Sequence, residues 1–436
     1  MDDKHYFKGK KVTLMGLGLL GRGVGDAAFL ASCGADLIVT DLRTEDALSS
    51  SLTRLAPFAS IRYTLGKHVT EDFRDRDLII KGAGVPYDSP YIQEALDRGI
   101  PVRMSTELFL ELSGLFSVGV TGTRGKTTTT CLIADILEAA GRKVVRGGNL
   151  RSVSTLALLP HVTPEHIAVL ELDSWQLQGF GDAGRSPDVA VFTSWYPDHQ
   201  QYYRNDLERY FADKAHIFSH QGTQGLAVLA PQARTHVAAR VPEVAARAQV
   251  PDPVEFSSWE TKLLGQHNLE NIACAVATAR ALGIADEVSR SVVARFCPLP
   301  GRLELLGEVH GIRIFNDAMA IIPDATVAAL AALSDSPVIL IMGGGDKRLA
   351  NADLVRAVGA HTKHVVLLAG SGTDTIREHF PTAQVHTRIE SALNEALSKA
   401  EKGDAVLFSP AFSSKGLFRD AYDRSDQFID CVSQYG

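Results

Sequence analysis

The feature that most constrains the fold is a pattern that starts three times along the chain: an apolar run, a turn, then a helical pattern, with glycines in the turn at the first two starts. The three starts lie near residues 11, 115 and 312. Between them, short apolar runs alternate with helical patterns, which is typical of parallel sheets whose strands are joined by crossover helices. The sequence therefore predicts an α/β protein built from three such units.

Domain boundaries follow from this pattern and from the length. The chain has 436 residues, enough for about three domains of ~100–200 residues each. We place the boundaries near residues 110 and 299, the second at the turn CPLPGRLE. The expected architecture is a Rossmann-like N-terminal domain (1–109), a central P-loop ATPase domain with a mostly parallel sheet (110–299) and a Rossmann-like C-terminal domain (300–436).

The predicted strands and helices are distributed over all three domains. Each apolar run of four to seven residues is assigned to a strand, and each longer segment with helical periodicity to a helix. The predicted strands are 11–17, 36–40, 77–81, 115–121, 167–172, 188–193, 312–316, 338–342, 365–369 and 405–409, and the principal helices are 22–33, 126–140, 324–333 and 417–433.

Composition excludes several classes of protein. The net charge is −7, whereas a nucleic-acid binder needs a basic face. The five cysteines are widely spaced and form no CxxC pair, which indicates reduced thiols. The N-terminal MDDKHYFKGKK has no apolar signal core, and no apolar run approaches the ~18 residues of a membrane span. We expect a cytoplasmic protein without a nucleic-acid partner.

The first glycine motif, MGLGLLGRG, contains Gly16, Gly18 and Gly21 between a predicted strand and helix. Asp41 ends the next strand. This arrangement is typical of a diphosphate nucleotide bound at a helix N-terminus, with an acid for a ribose hydroxyl. A nicotinamide dinucleotide and a nucleotide-sugar diphosphate both fit it, and a ligand-free turn is the plain structural alternative.

The second glycine motif, VTGTRGKTT, departs from the usual phosphate-binding loop because the first expected glycine falls at Val120. Gly122 and Gly125 still allow successive backbone N–H groups to face a phosphate. Lys126 can bridge the outer phosphates, and Thr127 can offer its hydroxyl to Mg²⁺. The sequence therefore predicts a nucleotide triphosphate site here.

Candidate metal ligands follow the neighbouring strands. Glu171 and Asp173 end the buried run IAVLELD, where carboxylates are expected to bind Mg²⁺ beside a phosphate loop. One of the two can instead cap the following helix. His199, in YPDH, can bind a second metal or simply donate a hydrogen bond, and composition alone does not single out Lys214 in DKA.

Taken together, these motifs resemble the Mur ligase family of ATP-dependent amide ligases. VTGTRGKTTT, ELDSWQL, YPDH, DKA, GQHNLENIACAVA and LPGRLE occur in the order and spacing of that family, whose loop has the same offset glycine. The resemblance covers essentially the whole chain. GLGLLGRG, the absence of a DNPR motif, and the segments GGGDK and SPAFSS favour a member that joins D-glutamate to UDP-N-acetylmuramoyl-L-alanine.

The resemblance implies a role for each matching residue, and two Mg²⁺ sites with ATP as the energy source. It implies a monomer and a carbamate on Lys214. The implied catalytic residues are Lys126, His199, Lys214 and Arg302; the ATP ligands are Gly122, Thr123, Gly125, Lys126, Thr127, Thr128, Asn268, Arg302 and Asp317; the metal ligands are Thr127, Glu171, His199 and Lys214; and the substrate-binding residues are Gly18, Asp41, Asn149, Lys347, Ser414 and Phe418.

One segment departs from the family pattern. In NDAMAIIPDAT, Met319, Ile321 and Ile322 are apolar where relatives commonly carry polar residues. If they face the amino-acid pocket, each lost contact to a carboxylate costs roughly 1.5–3 kcal/mol. A repacked loop, a different amino-acid substrate or impaired activity each fit this departure. The competing functions are a related amide ligase, a nucleotide-binding protein with impaired ligase activity, and a dehydrogenase that explains only the first glycine motif.

Overall fold

A computed structural model describes residues 3–19 and 21–435 as three α/β units arranged along the chain. Each unit contains one sheet, and each sheet lies within one of the three predicted ranges. The first predicted boundary falls inside a helix, Ser105–Ser113, that leads from the first sheet to the second. The prediction of a three-domain α/β fold is confirmed.

The N-terminal sheet is parallel and has the order β3-β2-β1-β4-β5. Its direction of winding reverses between β1 and β4, which is where a doubly wound sheet opens a ligand crevice at the carboxyl ends of its strands. The elements are α1 (Asp3–Phe7), β1 (Lys11–Met15), α2 (Arg22–Ser32), β2 (Asp36–Asp41), α3 (Ser49–Leu55), β3 (Arg62–Leu65), β4 (Leu78–Lys81), α4 (Pro90–Asp97), β5 (Val102–Arg103) and α5 (Ser105–Ser113).

The central sheet is also parallel and has the order β10-β9-β6-β8-β7. Its middle strands are buried on both faces, as their continuous apolar runs predict. The elements are β6 (Phe116–Thr121), α6 (Lys126–Ala139), β7 (Lys143–Gly148), β8 (His166–Glu171), α7 (Ser174–Asp182), β9 (Val189–Phe192), α8 (Leu207–Ala215), β10 (Leu226–Leu229), α9 (Pro231–Arg240), α10 (Pro242–Arg247), α11 (Gln266–Ala281) and α12 (Asp286–Arg295).

The C-terminal sheet is mixed and has the order β11-β12-β16-β13-β14-β15. Only β11 is antiparallel within it, joined to β12 by a tight turn at His310 and Gly311, whose φ angles are 51° and 82°. The elements are β11 (Glu304–Val309), β12 (Ile312–Asn316), α13 (Pro323–Ala332), β13 (Val338–Gly343), α14 (Ala352–His361), β14 (Thr362–Leu368), α15 (Ser371–Asp374), β15 (Val385–His386), α16 (Ile389–Lys399), β16 (Ala405–Phe408) and α17 (Ala421–Val432).

Several element boundaries differ by one to four residues from the sequence prediction, and two of these differences have identifiable reasons. β1 ends at Met15 rather than at residue 17, because Gly16 adopts a φ of 95°, outside the range of a strand. The last helix begins at Ala421 rather than at residue 417. Asp420 caps it by accepting hydrogen bonds from the backbone N–H groups of Tyr422 and Asp423.

The packing joins two of the units more closely than the third. One continuous cluster of buried apolar side chains spans the N-terminal and central units. The C-terminal sheet instead has two large clusters of its own, one built around Leu340 and the other around Ile341. Because neighbouring residues of a strand point to opposite faces, these clusters cover the two sides of that sheet.

Candidate functional site

A cavity of about 1170 Å³ lies where the three units meet. Its walls come from the first glycine motif, from the loop before α6 and from the segment after β12. All are near the carboxyl ends of parallel strands, where α/β proteins bind ligands. The predicted site residues that line it are Gly18, Asp41, Thr123, Gly125, Lys126, Thr127, Thr128, Asn149, Glu171, His199, Asn268, Arg302 and Asp317.

Five predicted site residues lie outside the cavity lining. Gly122 and Lys214 lie directly behind it, with Lys214 Nζ donating to the Gly122 carbonyl at 2.8 Å. Lys347 contacts the cavity through Asp198. Phe418 donates its backbone N–H to the Ser414 carbonyl at 3.2 Å and packs against the C-terminal core. The structure therefore does not bring Ser414 and Phe418 to the cavity.

Glycine is required at two positions of the second glycine motif. Gly122 has a φ of 143°, and a Cβ there would come within 2.2 Å of Thr193 Oγ1. Gly125 has a φ of 86°, and a Cβ there would come within 2.2 Å of Asn271 Oδ1. These two glycines turn the chain between β6 and α6, so Val120 can remain inside the strand. The offset glycine is thus compatible with a phosphate-binding loop.

Lys126 is the first residue of α6 and lies folded over its own loop. Its Nζ donates to the carbonyls of Gly122 and Thr123 at 3.1 and 3.2 Å. Burial lowers the pKa of Lys126, and the nearby Glu171 carboxylate opposes that shift. A bound phosphate would replace two neutral acceptors with an anion, which strengthens the hydrogen bonds that this ammonium group makes.

Glu171 is the last residue of β8, and only one of its two carboxylate oxygens accepts a hydrogen bond from a described residue. Its Oε1 accepts a hydrogen bond from Asn149 Nδ2 at 3.1 Å. Its Oε2 is buried and has no hydrogen-bond partner among the described residues. Asp173, two residues later, caps α7 by accepting from the backbone N–H of Gln176. Glu171 therefore keeps one carboxylate oxygen for a ligand, whereas Asp173, which also lines the cavity, uses one of its oxygens as a helix cap.

Asp198 lies at the centre of a cluster of ionisable side chains in the opposite wall of the cavity. Lys347 Nζ forms an ion pair with it, and Arg124 Nη2 lies 3.4 Å from Oδ2. Burial would raise the pKa of Asp198, but His199, Lys347 and Arg124 outweigh it and hold the pKa well below its usual range. Burial lowers the pKa of Lys347, the opposite of what pairing favours. We take the pair as ionised at neutral pH, because Asp198 faces two cations.

His199 is held in an unusual backbone conformation beside Asp198. Its φ is 53°, in the left-handed region, and its backbone N–H donates to Asp198 Oδ1 at 2.7 Å. The ring packs against Trp175, with centroids 4.5 Å apart. Burial lowers the pKa of His199. A neutral imidazole at the cavity wall has a nitrogen lone pair available to a metal ion.

Lys214 lies on α8 and is almost fully buried. Burial, followed by the charge of Lys126, lowers its pKa well below the usual lysine value. A neutral amine is the form that reacts with carbon dioxide to give a carbamate, so the chemistry predicted for Lys214 fits its environment. Formation of that carbamate stays a prediction.

The available donors fit Mg²⁺ bound together with phosphates. No group of three or more His, Cys, Asp or Glu side chains that could hold a metal occurs within residues 3–19 and 21–435. Mg²⁺ in nucleotide sites, however, takes only one or two carboxylates and completes its shell with phosphate oxygens and water. The unpartnered Glu171 Oε2 and the Thr127 hydroxyl supply such oxygens.

The C-terminal unit contributes Arg302 and Asp317 to the same cavity. Arg302 Nη2 donates to Thr127 Oγ1 at 2.9 Å across the domain boundary. Asp317 follows β12 and accepts from Ser409 Oγ at 2.7 Å and from the Leu303 backbone at 3.1 Å. Burial raises the pKa of Asp317 to about 7. The Arg302 contact places a cation of one domain directly on the first turn of α6, at the end of the second glycine motif of another domain.

The end of the cavity at the first glycine motif lies in the N-terminal unit. Gly18 has a φ of 67° and donates its backbone N–H to Asp41 Oδ2 at 3.0 Å. Asp41 Oδ1 accepts from the backbone N–H of Arg43 at 2.9 Å. Both carboxylate oxygens of Asp41 therefore fix the loops around the crevice, and each retains lone pairs for a ligand.

In the apolar segment after β12, some side chains line the cavity and another is buried in the core. Met319 and Ile321 line the cavity and are half-buried, whereas Ile322 is fully buried at the start of α13. The departure from the family pattern thus concerns two positions at the cavity wall. Ile322 has a packing role.

Three contributors to the site were missed by sequence analysis. Asp198 immediately precedes His199 in the quoted YPDH motif, so the motif itself contained the signal. Arg22 follows Gly21 in the first glycine motif, and its guanidinium donates to Asn149 Oδ1. Trp175 packs on His199, but nothing in ELDSWQL distinguishes that contact from ordinary core packing.

Within the part of the chain that the structure describes, no helix combines the length and apolar character needed to cross a membrane.

Comparison with protein families gives three matches along the chain. Residues 10–104 match the Mur ligase MurD-like N-terminal domain, residues 120–257 the Mur ligase middle domain, and residues 301–412 the Mur ligase glutamate ligase domain. Their order and limits agree with the three sheets. The two gaps between the matches include the predicted boundaries near residues 110 and 299.

Two curated relatives match over nearly their full length. The UDP-N-acetylmuramoylalanine–D-glutamate ligase of Roseiflexus sp. (strain RS-1) is 36% identical, covering 98% of this chain and 99% of the relative. The enzyme of the same name from Geobacter metallireducens is 33% identical, with 98% of each chain covered.

Solved structures share the fold at low sequence identity. The UDP-N-acetylmuramate–alanine ligase MurC of Thermotoga maritima matches with a TM-score of 0.64 and 17% identity, covering 98% of this chain and all of that one. The MurF ligase of the same organism, solved with ADP, matches with a TM-score of 0.59 and 17% identity, covering 99% and 96% of the two chains. Both likenesses support the three-domain α/β architecture.

Proposed function

The chain belongs to the Mur ligase family, and we propose that it joins D-glutamate to UDP-N-acetylmuramoyl-L-alanine at the expense of ATP. The observation that carries this proposal is the full-length similarity to ligases that bear those substrates in their names. The reaction forms an amide bond and releases ADP and phosphate. Its product is a precursor of peptidoglycan, which places the enzyme in cell-wall synthesis.

The first step makes an acyl phosphate. A carboxylate oxygen of the L-alanyl group attacks the γ-phosphorus of ATP, the bond to the β–γ bridging oxygen breaks, and ADP leaves. Lys126 and Arg302 stabilise the negative charge that spreads over the phosphoryl oxygens. Lys126 must first exchange the carbonyls of its own loop for phosphate. Arg302 already contacts Thr127, so its guanidinium lies beside the loop that would hold the phosphates.

The second step forms the amide. The amine of D-glutamate attacks the acyl carbon, the tetrahedral intermediate collapses, phosphate leaves with the bonding electron pair, and the amine loses a proton. We assign Lys347 to a carboxylate of D-glutamate. Because Lys347 is paired with Asp198, D-glutamate must compete with that carboxylate or bind beside it.

Mg²⁺ would neutralise charge between the two anionic reactants. In this proposal Glu171 and Thr127 would hold one ion, and His199 together with Lys214, once carbamylated, would hold the other. The unpartnered Glu171 Oε2 and the lowered pKa values of His199 and Lys214 support these roles. Asn268 and Asp317 are assigned to the adenosine part of ATP, and Gly18, Asp41 and Asn149 to the acceptor. Ser414 and Phe418 remain predicted D-glutamate residues that would have to approach on domain closure.

A second candidate function is a Mur-type ligase for a different amino acid. It is favoured by Met319 and Ile321, which present apolar side chains to the cavity. A neutral or apolar side chain would match these two positions better than the γ-carboxylate of D-glutamate. A protein with impaired ligase activity is less well supported, because Lys126, Glu171 and Arg302 all face the cavity.

The test is phosphate release from ATP in the presence of UDP-N-acetylmuramoyl-L-alanine and one amino acid at a time. We expect release with D-glutamate and little with L-glutamate or neutral amino acids. Release with a neutral amino acid instead would favour the second candidate. ATP turnover that ignores both the acceptor and the amino acid would contradict both functions.

We also propose that the enzyme is a cytoplasmic monomer, because ATP and nucleotide sugars are supplied in the cytoplasm and all three walls of the cavity come from one chain. Light scattering during size-exclusion chromatography should give a mass near 47.0 kDa. A mass near twice that value would contradict the monomer.

A further inference from the structure

A chain of hydrogen bonds runs from the first glycine motif to the acidic end of β8. Arg22 Nη1 donates a hydrogen bond to Asn149 Oδ1. Asn149 Nδ2 donates to Glu171 Oε1 at 3.1 Å. These two contacts connect the N-terminal unit to the carboxylate that faces the phosphate-binding loop, over sequence separations of 127 and 22 residues. We call Arg22, Asn149 and Glu171 the relay.

The orientation of the Asn149 amide is determined by its two neighbours. A guanidinium group has only donors, so it must face the amide oxygen. A carboxylate without its proton has only acceptors, so it must face the amide nitrogen. Arg22 therefore favours the one amide orientation in which Asn149 donates to Glu171.

The backbone makes the Glu171 end of the relay rigid. Gly148 is paired with Glu171 across the parallel strands β7 and β8. The backbone N–H of Asn149 donates to the Glu171 carbonyl at 2.7 Å. A Cβ at Gly148 would lie 2.0 Å from that carbonyl, so the close approach requires glycine. Because the backbone is fixed here, a change in the Asn149 side chain should alter the orientation of the Glu171 carboxylate and leave the backbone in place.

Arg22 has capacity for a second partner. It is the first residue of α2, directly after Gly21, and its side chain lines the cavity. A guanidinium carries five N–H donors, and the contact to Asn149 uses one. The remaining donors lie beside the glycine motif, where the proposed acceptor would place its diphosphate.

We propose that Arg22 is a positioning residue that links binding of the acceptor's diphosphate at the glycine motif to the orientation of Glu171 through Asn149. The inference rests on the proposed function for the identity of the acceptor. When the diphosphate is bound, Arg22 is held at Asn149, Asn149 holds Glu171 Oε1, and Oε2 is kept toward the cavity. Acceptor binding thus prepares the carboxylate end of the ATP site.

A purely structural role for Arg22 gives different expectations. The interface between α2 and the segment after β7 already has a buried hydrogen bond, from Ser154 Oγ to Asp26 Oδ1 at 2.6 Å. If Arg22 served only that interface, its loss would lower stability and weaken all ligands equally. The relay instead predicts selective loss of acceptor binding and of turnover.

The experiment compares Arg22→Met, Arg22→Lys and Asn149→Ala by calorimetry without added metal, using the acceptor and ADP as separate probes. Arg22→Met should weaken acceptor binding by about tenfold, the size expected for losing a hydrogen bond to a charged group, and leave ADP binding unchanged. Arg22→Lys keeps a cation but loses the planar set of guanidinium donors, so it should weaken acceptor binding, though less than Arg22→Met does. For kcat, the double variant Arg22→Met/Asn149→Ala should be no slower than Asn149→Ala, because both act through one relay.

Arg98→Met is the matched control, since Arg98 is an exposed arginine of the same unit that pairs with Glu94 outside the cavity. It should leave acceptor affinity and kcat unchanged. Equal weakening of ADP and acceptor by Arg22→Met, or multiplicative kcat losses in the double variant, would overturn the inference. If Arg22→Met lowers the Tm, acceptor and ADP affinities are compared in Arg22→Lys and Asn149→Ala instead: weakening of the acceptor alone in both variants supports the inference, and equal weakening of acceptor and ADP overturns it. A natural protein that is inactive with acceptor and D-glutamate would instead overturn the proposed function.

Discussion

Replacement of Asp198 by asparagine should destabilise the contact between the central and C-terminal units. Asp198 is almost fully buried and meets Lys347 from one unit and Arg124 from its own. The asparagine side chain would have nearly the same shape but no charge, so two cations would lose their counter-charge. Breaking a buried ion pair by removing one partner costs about 3–5 kcal/mol. We expect the lower end, about 3 kcal/mol, because both lysine and arginine retain some access to water.

The magnitude is measured by urea unfolding of Asp198→Asn, Lys347→Met and the double variant at pH 7. The free energy of unfolding of the double variant should fall by less than the sum of the decreases in the two single variants. The reason is that Lys347→Met also removes the cation that Asp198→Asn leaves without a counter-charge. An Asp198→Asn protein within about 0.5 kcal/mol of the natural one, or strict additivity, would refute this account of the charges.

The same residue gives a pH dependence whose sign follows from its pKa. The folded-state pKa of Asp198 is lower than its ordinary value, which is about 3.9 in an unfolded chain. The stabilisation is therefore fully present above that value and is lost as pH falls through it toward the folded-state pKa. The difference in stability between the natural protein and Asp198→Asn should be constant from pH 7 to about pH 5 and shrink below about pH 4. A difference that grows in acid would contradict this assignment.

Three further predictions concern the reaction. Lys126→Ala should lower kcat by about a hundredfold or more, because a cation at the phosphoryl group is lost; near-normal ADP formation would contradict its role. Lys214→Ala should be inactive and partly recover with added short carboxylic acids that replace the carbamate; absence of recovery would weaken that assignment. Met319→Thr should lower the KM for D-glutamate by about tenfold by restoring a hydrogen-bonding side chain at the cavity wall; an unchanged KM would mean that position 319 does not contact the substrate.

The fold was predictable wherever strands are covered on both sides. All ten predicted strands are present, among them β6, β8 and β13, whose apolar runs are continuous. The six strands missed by the sequence analysis are the two edges of each sheet: β3 and β5, β10 and β7, and β11 and β15. Five of these edge strands are partly exposed or very short, so their sequences lack the continuous apolar run of a buried strand. β10 is the exception, because its sequence LAVL is such a run and is mostly buried.

The site was predictable where it depends on a single sheet. Lys126 and Glu171 follow neighbouring parallel strands, and such strands bring their carboxyl ends to one edge. Contacts between domains could not be predicted in the same way. The contacts of Arg302 with Thr127, Lys347 with Asp198 and Arg22 with Asn149 depend on how separate sheets pack. No local sequence pattern encodes that packing.

The most direct test of the proposed reaction follows an oxygen atom. UDP-N-acetylmuramoyl-L-alanine labelled with ¹⁸O in its alanyl carboxylate is incubated with ATP, D-glutamate and the enzyme, and the released phosphate is analysed by mass spectrometry. Attack of the carboxylate on the γ-phosphorus predicts one labelled oxygen in each phosphate released from fully labelled acceptor, and release that depends on D-glutamate. Unlabelled phosphate would mean that water attacks ATP, and would contradict the acyl-phosphate route.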